Sequence, residues 1–243
     1  MRNNLWAAIL ALAIVISAIV FANAFQNRHK NADTISVTGS GKKDFTSDLI
    51  VWSGSFSRKS MTLKEAYATL DSDRTKIKEY LTTKGISESE IVFSAVNFNK
   101  DFDFLYNDNG SMRQQIFTGY SLNQNVTVQS ANVDKIEEIS RQSSELINLG
   151  VEFYSNPPEY YYTKLAELKI MMIAEATKDA NMRAKTIAEN AGSSLGNLKK
   201  SDMGVFQITG QNSSEDFSYG GSFNTHSKNK TAHITVRLVY QVD

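Results

Sequence analysis

The 243-residue chain contains no cysteine, only two prolines and only three histidines. The absence of cysteine excludes disulfides, thiol nucleophiles and thiolate metal ligands. The histidines, His29, His226 and His233, form no pair with the short spacing of metal ligands, and none is placed beside a carboxylate in a recognisable catalytic motif. We therefore expect no catalytic residue, no metal and no cofactor, and we expect that the protein is not an enzyme.

The chain also has no net charge, since it contains 26 basic and 26 acidic residues. A surface that binds nucleic acid normally shows clustered basic residues, and the sequence has no such stripe. Aromatic residues make up 10% of the chain, which is too many for a protein that is mainly disordered. We expect a folded domain that does not bind nucleic acid.

Long apolar runs are confined to residues 5–25, where the most polar side chains are Ser17 and Asn23. A helix of this length extends roughly 31 Å, which matches the hydrocarbon core of a bilayer. The run predicts a single-pass membrane anchor and stalk at residues 1–30, with residues 31–243 in the periplasm or otherwise outside the cytoplasm. The predicted anchor residues are Leu5, Trp6, Ile9, Ile14, Ile16, Val20 and Phe21.

A cleaved secretory signal peptide is the alternative for this segment. Arg2 gives the segment a short positive start, and Ala22, Asn23 and Ala24 form a cleavage pattern of the A-x-A type. The apolar core of a signal peptide usually spans about 7 to 15 residues, so the longer run favours retention. Both alternatives export the domain, and an exported domain without disulfides is typical of a bacterial envelope.

Hydrophobic periodicity predicts an α+β domain built from two successive units of similar order. Each unit has a strand, a helix that ends at a glycine followed by an apolar residue, and a further strand, with a hairpin between the units. This βαββαβ order predicts helices over one face of a mostly antiparallel sheet. The predicted strands are residues 35–37, 48–57, 91–98 and 151–153, and the predicted helices run from the Thr62 cap to Gly85 and from the Asn132 cap to Gly150.

The long second arm of the hairpin alternates between apolar and polar side chains. The alternation predicts one buried and one exposed face. The predicted buried face carries Ile116, Tyr120, Leu122, Val126 and Val128, and the predicted exposed face carries Gln115, Ser121, Asn123 and Asn125.

A long helix is predicted at residues 161–191, after Pro157 and Pro158. Its inner row is rich in alanine, and small side chains let a helix backbone approach a sheet closely. Strands at residues 198–208 and 232–242 complete the predicted domain. The inner row consists of Leu165, Leu168, Met172, Ile173, Ala176, Ala180, Ala184, Ile187 and Ala191.

Several of these segments resemble the SIMPL-domain family of bacterial envelope proteins. The resemblance rests on the opening ISVTGSGKKDF, on Gly85-Ile86 before a strand, and on the late helix that ends at Gly192 with Gly196 four residues later. It covers residues 33–243 and implies a periplasmic or membrane-anchored protein, a tendency to form channel-like homo-oligomeric rings, and no established catalytic residues. The segment 101–111 belongs to no motif of the family.

Two segments resemble known ligand-binding loops but lack residues that those loops require. The segment 36–43 resembles a phosphate-binding loop, but Ser36 replaces the first glycine and Lys43 replaces the required serine or threonine, so we interpret it as a turn that ends a strand. The hairpin tip is rich in side chains that bind calcium, but Leu105 and Ile116 would occupy ligand positions of an EF-hand loop. The acidic or amide residues of this segment are Asp101, Asp103, Asn107, Asp108 and Asn109.

Three adjacent tyrosines, Tyr160, Tyr161 and Tyr162, lie at the predicted start of the long helix. Three consecutive helical residues cannot all point inward, so this cluster predicts either core packing with incidental exposure or a subunit or ligand surface.

We expect a membrane-anchored periplasmic protein that acts without catalysis, through homo-oligomeric assembly or partner binding. One alternative is a periplasmic module that binds a small or peptide ligand in a groove beside the sheet. Another is a hydrolase, which would require two carboxylates at catalytic separation in a cleft. The sequence does not identify a protein partner or small ligand.

Overall fold

The computed structural model describes the backbone of residues 2–29 and 33–242, and the side chains of residues 10–25 and 33–242. The chain begins with helix α1, Arg2–His29. Within these described residues, no helix combines the length and the hydropathy that a membrane span requires. The predicted anchor residues Leu5, Trp6 and Ile9 lie outside the described side chains. The others, Ile14, Ile16, Val20 and Phe21, are exposed.

The rest of the described chain forms two antiparallel sheets, each with its own apolar core. The first, sheet A, is covered by helix α5, Leu165–Asn190. Its strands are β1 (Thr34–Thr46), β8 (Leu195–Met203), β9 (Gln207–Gly210) and β10 (Asn229–Val242).

Sheet B carries the remaining strands and packs against helices α2 (Leu63–Thr83) and α3 (Val133–Gln142), while the short α4 (Glu145–Asn148) follows α3. Its central strands pair in antiparallel register, with Ile50 opposite Ser130. The strands are β2 (Leu49–Ser60), β3 (Ile91–Phe93), β4 (Asn97–Tyr106), β5 (Met112–Ser130), β6 (Phe153–Ser155) and β7 (Glu159–Tyr161).

The α+β class and the antiparallel pairing are confirmed, whereas the single sheet is wrong. The first strand pairs along its whole length with the last one, from Thr34 opposite Gln241 to Thr46 opposite Asn229. This pairing joins the two ends of the domain and separates β1 from β2. Local periodicity contains no information on such a distant partner, so the sequence did not distinguish one sheet from two.

The predicted helix caps and glycine stops are confirmed, but the second helix is wrong as a single element, because it is interrupted at Ser143 and Ser144 between α3 and α4. The Thr62 and Asn132 side chains accept hydrogen bonds from the backbone N–H groups three residues later, as N-caps do. Gly85 and Gly150 end their helices with φ angles of +80° and +75°, a backbone region that favours glycine.

The segment 36–43 lies in the middle of β1, so the turn predicted there is wrong. Its glycines face helix α5 across a very short distance. A Cβ atom added to Gly39 would clash with the Ala176 carbonyl oxygen and the Ala180 amide nitrogen, and one added to Gly41 would lie 2.7 Å from the Met172 carbonyl oxygen. The glycines are therefore required by the approach of the helix, not by a ligand.

The predicted alanine row is largely confirmed. Its buried members recur every four residues, at Leu168, Met172, Ala176, Ala180, Ala184 and Ala188. Ile187 and Ala191 are exposed, because the row drifts around the helix by about 40° with every four residues and Ala188 takes the last buried position.

The close contact between α5 and β1 predicts that a larger side chain at this interface destabilises the protein. Ala180→Leu adds three carbons to an interface that has no space for them, and we expect it to lower the free energy of unfolding by about 1 to 3 kcal/mol. Lys178→Leu on the exposed face of the same helix should change it by less than about 0.5 kcal/mol. Denaturant unfolding of both variants measures the difference, and equal midpoints would contradict this packing.

Candidate interaction surface

The strands β4 and β5 extend beyond the rest of sheet B as a two-stranded ribbon. Strand β2 ends at Ser60, opposite Tyr120 of β5. Beyond this point residues 101–106 and 112–119 pair only with each other among the described strands. We call residues 101–119 the arm. The predicted hairpin is thus confirmed, but the structure adds that its tip stands clear of the sheet.

The arm ends in a tight turn that its own side chains close. Asn107 donates its backbone N–H to the Ser111 carbonyl at 2.9 Å, and Gly110 has a φ angle of +77°. The Asn109 side-chain oxygen accepts from the Ser111 backbone N–H at 3.1 Å. These amide groups are therefore used within the turn, as expected of a hairpin tip.

One face of β4 is aromatic and uncovered. Alternate residues carry Phe98, Phe102, Phe104 and Tyr106, with exposed fractions of 55%, 38%, 47% and 64%, and Lys100 stands between the first two of them. The opposite face of the same strand is mostly polar and includes Asp101 and Asp103, with Leu105 as its apolar member. Both register shifts along this pair skip a residue on β5, so the alternation on β4 is unbroken. Four aromatic rings on one face of a strand are typical of a buried face, yet no described element covers these rings.

The aromatic face continues the core of sheet B. Phe98 stands opposite Leu122, which is buried in that core. Phe117 stands opposite Phe102 with ring centroids 5.6 Å apart, and its ring is 5.2 Å from that of Tyr120 at the edge of the core. We use the term aromatic face for the four rings of β4 together with Met112 and Phe117 of β5.

A bulge at Gly119 sets the direction of the arm. Gly119 has a φ angle of +131°, and a Cβ atom there would lie 2.7 Å from the Ser60 carbonyl oxygen. Beside it, the Lys59 ammonium is 3.0 Å from Asp101 Oδ2 and 3.3 Å from Thr118 Oγ1. The arm is therefore fixed at its base by close backbone packing and by one cation with two partners.

Because of the bulge, the predicted faces of β5 are wrong at Gln115 and Ile116. Ile116 stands opposite Asp103 on the polar side, whereas Gln115 stands opposite Phe104 on the aromatic side. Each had been assigned to the other face. A bulge inserts one residue and reverses the alternation beyond it, and the only signal in the sequence is Gly119 itself.

The tyrosine cluster lies in β7 and just after it, so its placement at a helix start is wrong; α5 begins at Leu165. Tyr160 is buried in the core of sheet B, and its burial raises the pKa of its hydroxyl. Tyr161 is half-buried and donates to Glu159, and Tyr162 packs on Phe45 at 4.8 Å in the core of sheet A. The cluster bridges the two cores, and its role in an interface stays a prediction.

The described side chains include two of the three histidines, His226 and His233. Within the described residues, no group of three or more histidine, aspartate or glutamate side chains is placed to hold a metal ion. His226 is exposed, and His233 stacks on Phe217 at 5.3 Å beside a groove of about 310 Å³. His29 lies outside the described side chains.

The loop at residues 211–228 is held by a buried lysine. Lys230 is 1% exposed, and its ammonium donates to the carbonyl oxygens of Asn224 at 2.7 Å and Ser227 at 2.5 Å. Burial lowers the pKa of Lys230 to about 8, although Glu215 opposes the shift. Its hydrogen bonds secure the loop to sheet A.

The buried lysine predicts a pH dependence of stability. Between about pH 8 and the ordinary lysine pKa of 10.5, unfolded Lys230 keeps a proton that the folded side chain has lost. The free energy of unfolding should therefore rise with pH across this interval. Lys230→Met should flatten the rise, whereas the exposed Lys43→Met control should preserve it. Denaturant unfolding between pH 7 and pH 10 measures the slopes, and identical slopes for wild type and Lys230→Met would rule the account out.

The sequence of the chain is similar to those of known proteins. The pattern of the family described as "SIMPL: Protein of unknown function (DUF541)" matches residues 35–240. Relatives include the 26 kDa periplasmic immunogenic proteins of Brucella melitensis biotype 1 and Brucella abortus strain S19, each 24% identical over 168 residues. The alignment covers 68% of this chain and 64% of each relative, which is less than two thirds of the relatives' length. The resemblance expected from the sequence is confirmed, and the chain belongs to the SIMPL family.

Proposed function

We propose that the protein acts without catalysis, by assembling with further copies of itself in the cell envelope through the arm. The observation that carries this proposal is the aromatic face, a strand face with the periodicity of a buried surface but with rings that are 38–64% exposed. Exposed apolar patches of this kind mark sites of association. Aromatic residues are also enriched at the centres of protein interfaces.

The arm offers a second means of association, the unpaired edge of β4. Among the described strands, β4 pairs with β5 only. An open edge presents backbone N–H and C=O groups that pair readily with another strand. A partner that adds a strand here would satisfy these groups and cover the rings at the same time.

The area of the aromatic face indicates how large a partner surface is needed. A fully buried aromatic side chain covers about 150 to 250 Å², so four rings that are roughly half exposed supply on the order of 400 Å². A stable interface buries about 800 Å² per partner. The arm therefore supplies about half of one interface, and the remainder must come from the surface around it.

We propose a location outside the cytoplasm, with residues 5–25 as a single-pass anchor. The printed names of the Brucella relatives describe periplasmic proteins. The apolar run is long enough to span a bilayer. On the described part of α1, large apolar side chains such as Phe21 are exposed to 80%.

If the arm mediates assembly, removing rings from its aromatic face should prevent the protein from assembling. Phe102→Ser combined with Phe104→Ser should convert the assembled protein into a monomer, because it removes the two central rings of the aromatic face. Sedimentation velocity of full-length protein in mild detergent measures the species. Phe217→Ser with Phe223→Ser, which alters two exposed rings elsewhere, is the matched control and should assemble as wild type does. A wild-type protein that is monomeric at high concentration would exclude assembly, and an assembled arm variant would exclude the arm.

The proposed anchor is tested by fractionating cells into membrane and soluble parts. A retained spanning helix should keep the protein in the membrane pellet through high salt and alkaline carbonate, because removing some twenty apolar side chains from lipid is prohibitively costly. Protease added to spheroplasts should still digest residues 31–243. Recovery in the soluble periplasmic fraction, with an amino terminus at Phe25, would show that the segment is a cleaved signal peptide.

A further inference from the structure

One free edge of sheet A lies along β1, which pairs only with β10 among the described strands. In an antiparallel ladder, alternate residues direct both backbone groups to the same side. The Ser40 N–H points away from β10, since it donates to Asp179 Oδ2 of α5 at 2.9 Å. Ser36 and Thr38 have the same parity, so their N–H and C=O groups also point to the free edge.

Helix α5 covers this edge at one end and leaves it open at the other. Asp179 closes the edge at Ser40, and beyond it a groove opens between the edge of β1 and the second half of the helix. The resulting groove has a volume of about 500 Å³. We call it the edge groove, and it is lined by Ser36, Val37, Thr38, Met182, Arg183, Thr186 and Ile187.

We propose that the edge groove receives the arm of a second copy, with β4 of that copy added as a strand to the free edge of β1. This inference rests on the proposed assembly function and names its receiving surface. Strand β4 of one copy and strand β1 of the next each have one open edge among the described strands. The backbone N–H and C=O groups of the two edges can therefore pair with each other. Strand addition here would also supply the area that the arm alone does not provide.

Most side chains of β4 match the surface that each face of the strand would meet, the exceptions being Lys100 on the aromatic face and Leu105 on the polar face. With the aromatic face of β4 turned toward α5, its rings meet apolar groove side chains, of which Met182 is 60% and Ile187 49% exposed. The polar face of β4 then lies on the outer face of sheet A. There the acidic Asp103 approaches the exposed Arg237, which lies one strand away opposite Thr38. One orientation thus satisfies both the apolar and the charged contacts.

An arm that enters a groove on the next copy makes a heterologous interface, in which the two contacting surfaces differ. Each copy then has one arm and one groove to offer. Such contacts propagate from copy to copy and end either in a closed ring or in an open chain. An arm that paired with another arm would instead stop at a two-fold dimer.

A mixing experiment with full-length protein in mild detergent tests the proposal. The arm variant is Phe102→Ser with Phe104→Ser, and the groove variant is Ile187→Glu, which places a charge in the lining. Ile170→Glu is the control, because Ile170 lies on the same helix at 71% exposure and outside the groove. Sedimentation velocity should find each of the first two variants monomeric alone, and the control assembled. An equimolar mixture of the two should form a one-to-one dimer, since one intact arm and one intact groove remain.

The outcomes separate this proposal from the assembly function itself. Wild-type protein that stays monomeric would overturn both. An arm variant that fails to assemble, together with a groove variant that assembles as wild type does, would keep the assembly function and overturn the groove. A mixture that stays monomeric would also overturn the groove.

A charge exchange gives a test that introduces no charge into the apolar lining. Asp103→Arg and Arg237→Glu should each weaken assembly roughly tenfold through like-charge contacts, and the double variant should recover most of the loss. Full assembly of both single variants, or no recovery in the double variant, would overturn the predicted orientation.

Discussion

The close contact between α5 and β1 determines much of the architecture of sheet A. Gly39 faces the backbone of the helix at Ala176 and Ala180 with no space for a Cβ atom. Such contact is possible only because the strand offers glycine where the helix offers alanine. It fixes the height of the helix above the sheet and brings Asp179 to the Ser40 amide, beyond which the groove beside β1 begins.

Each sheet has a surface that the described part of the chain leaves uncovered. In sheet B it is the aromatic face of the arm, and in sheet A it is the open edge of β1 beside a groove with apolar side chains. The Gly119 bulge lies at the base of the arm, packed against the Ser60 carbonyl oxygen. The chain has no disulfides, so association of these surfaces would add stability that the two cores must otherwise supply alone.

The sequence predicted local features of the helices wherever the residue type at a position has a well-defined structural preference. The caps at Thr62 and Asn132, the glycine stops at Gly85 and Gly150, and the alanine row all follow from such rules. The sequence could not show that β1 pairs with β10, because that pairing depends on residues some two hundred positions apart. The arm was visible only as a hairpin. Its uncovered face depends on where β2 ends and on the bulge, neither of which has an unambiguous signal.

The most direct measurement of this account is hydrogen–deuterium exchange of the full-length protein at high and at low concentration. The free edges of β4 and β1 are remote from each other in sequence, and the account places both in the same intermolecular sheet. Amides in residues 102–106 and at Ser36 and Thr38 should exchange slowly in the concentrated sample and become faster together on dilution. Equally fast exchange of both segments at every concentration would contradict the account.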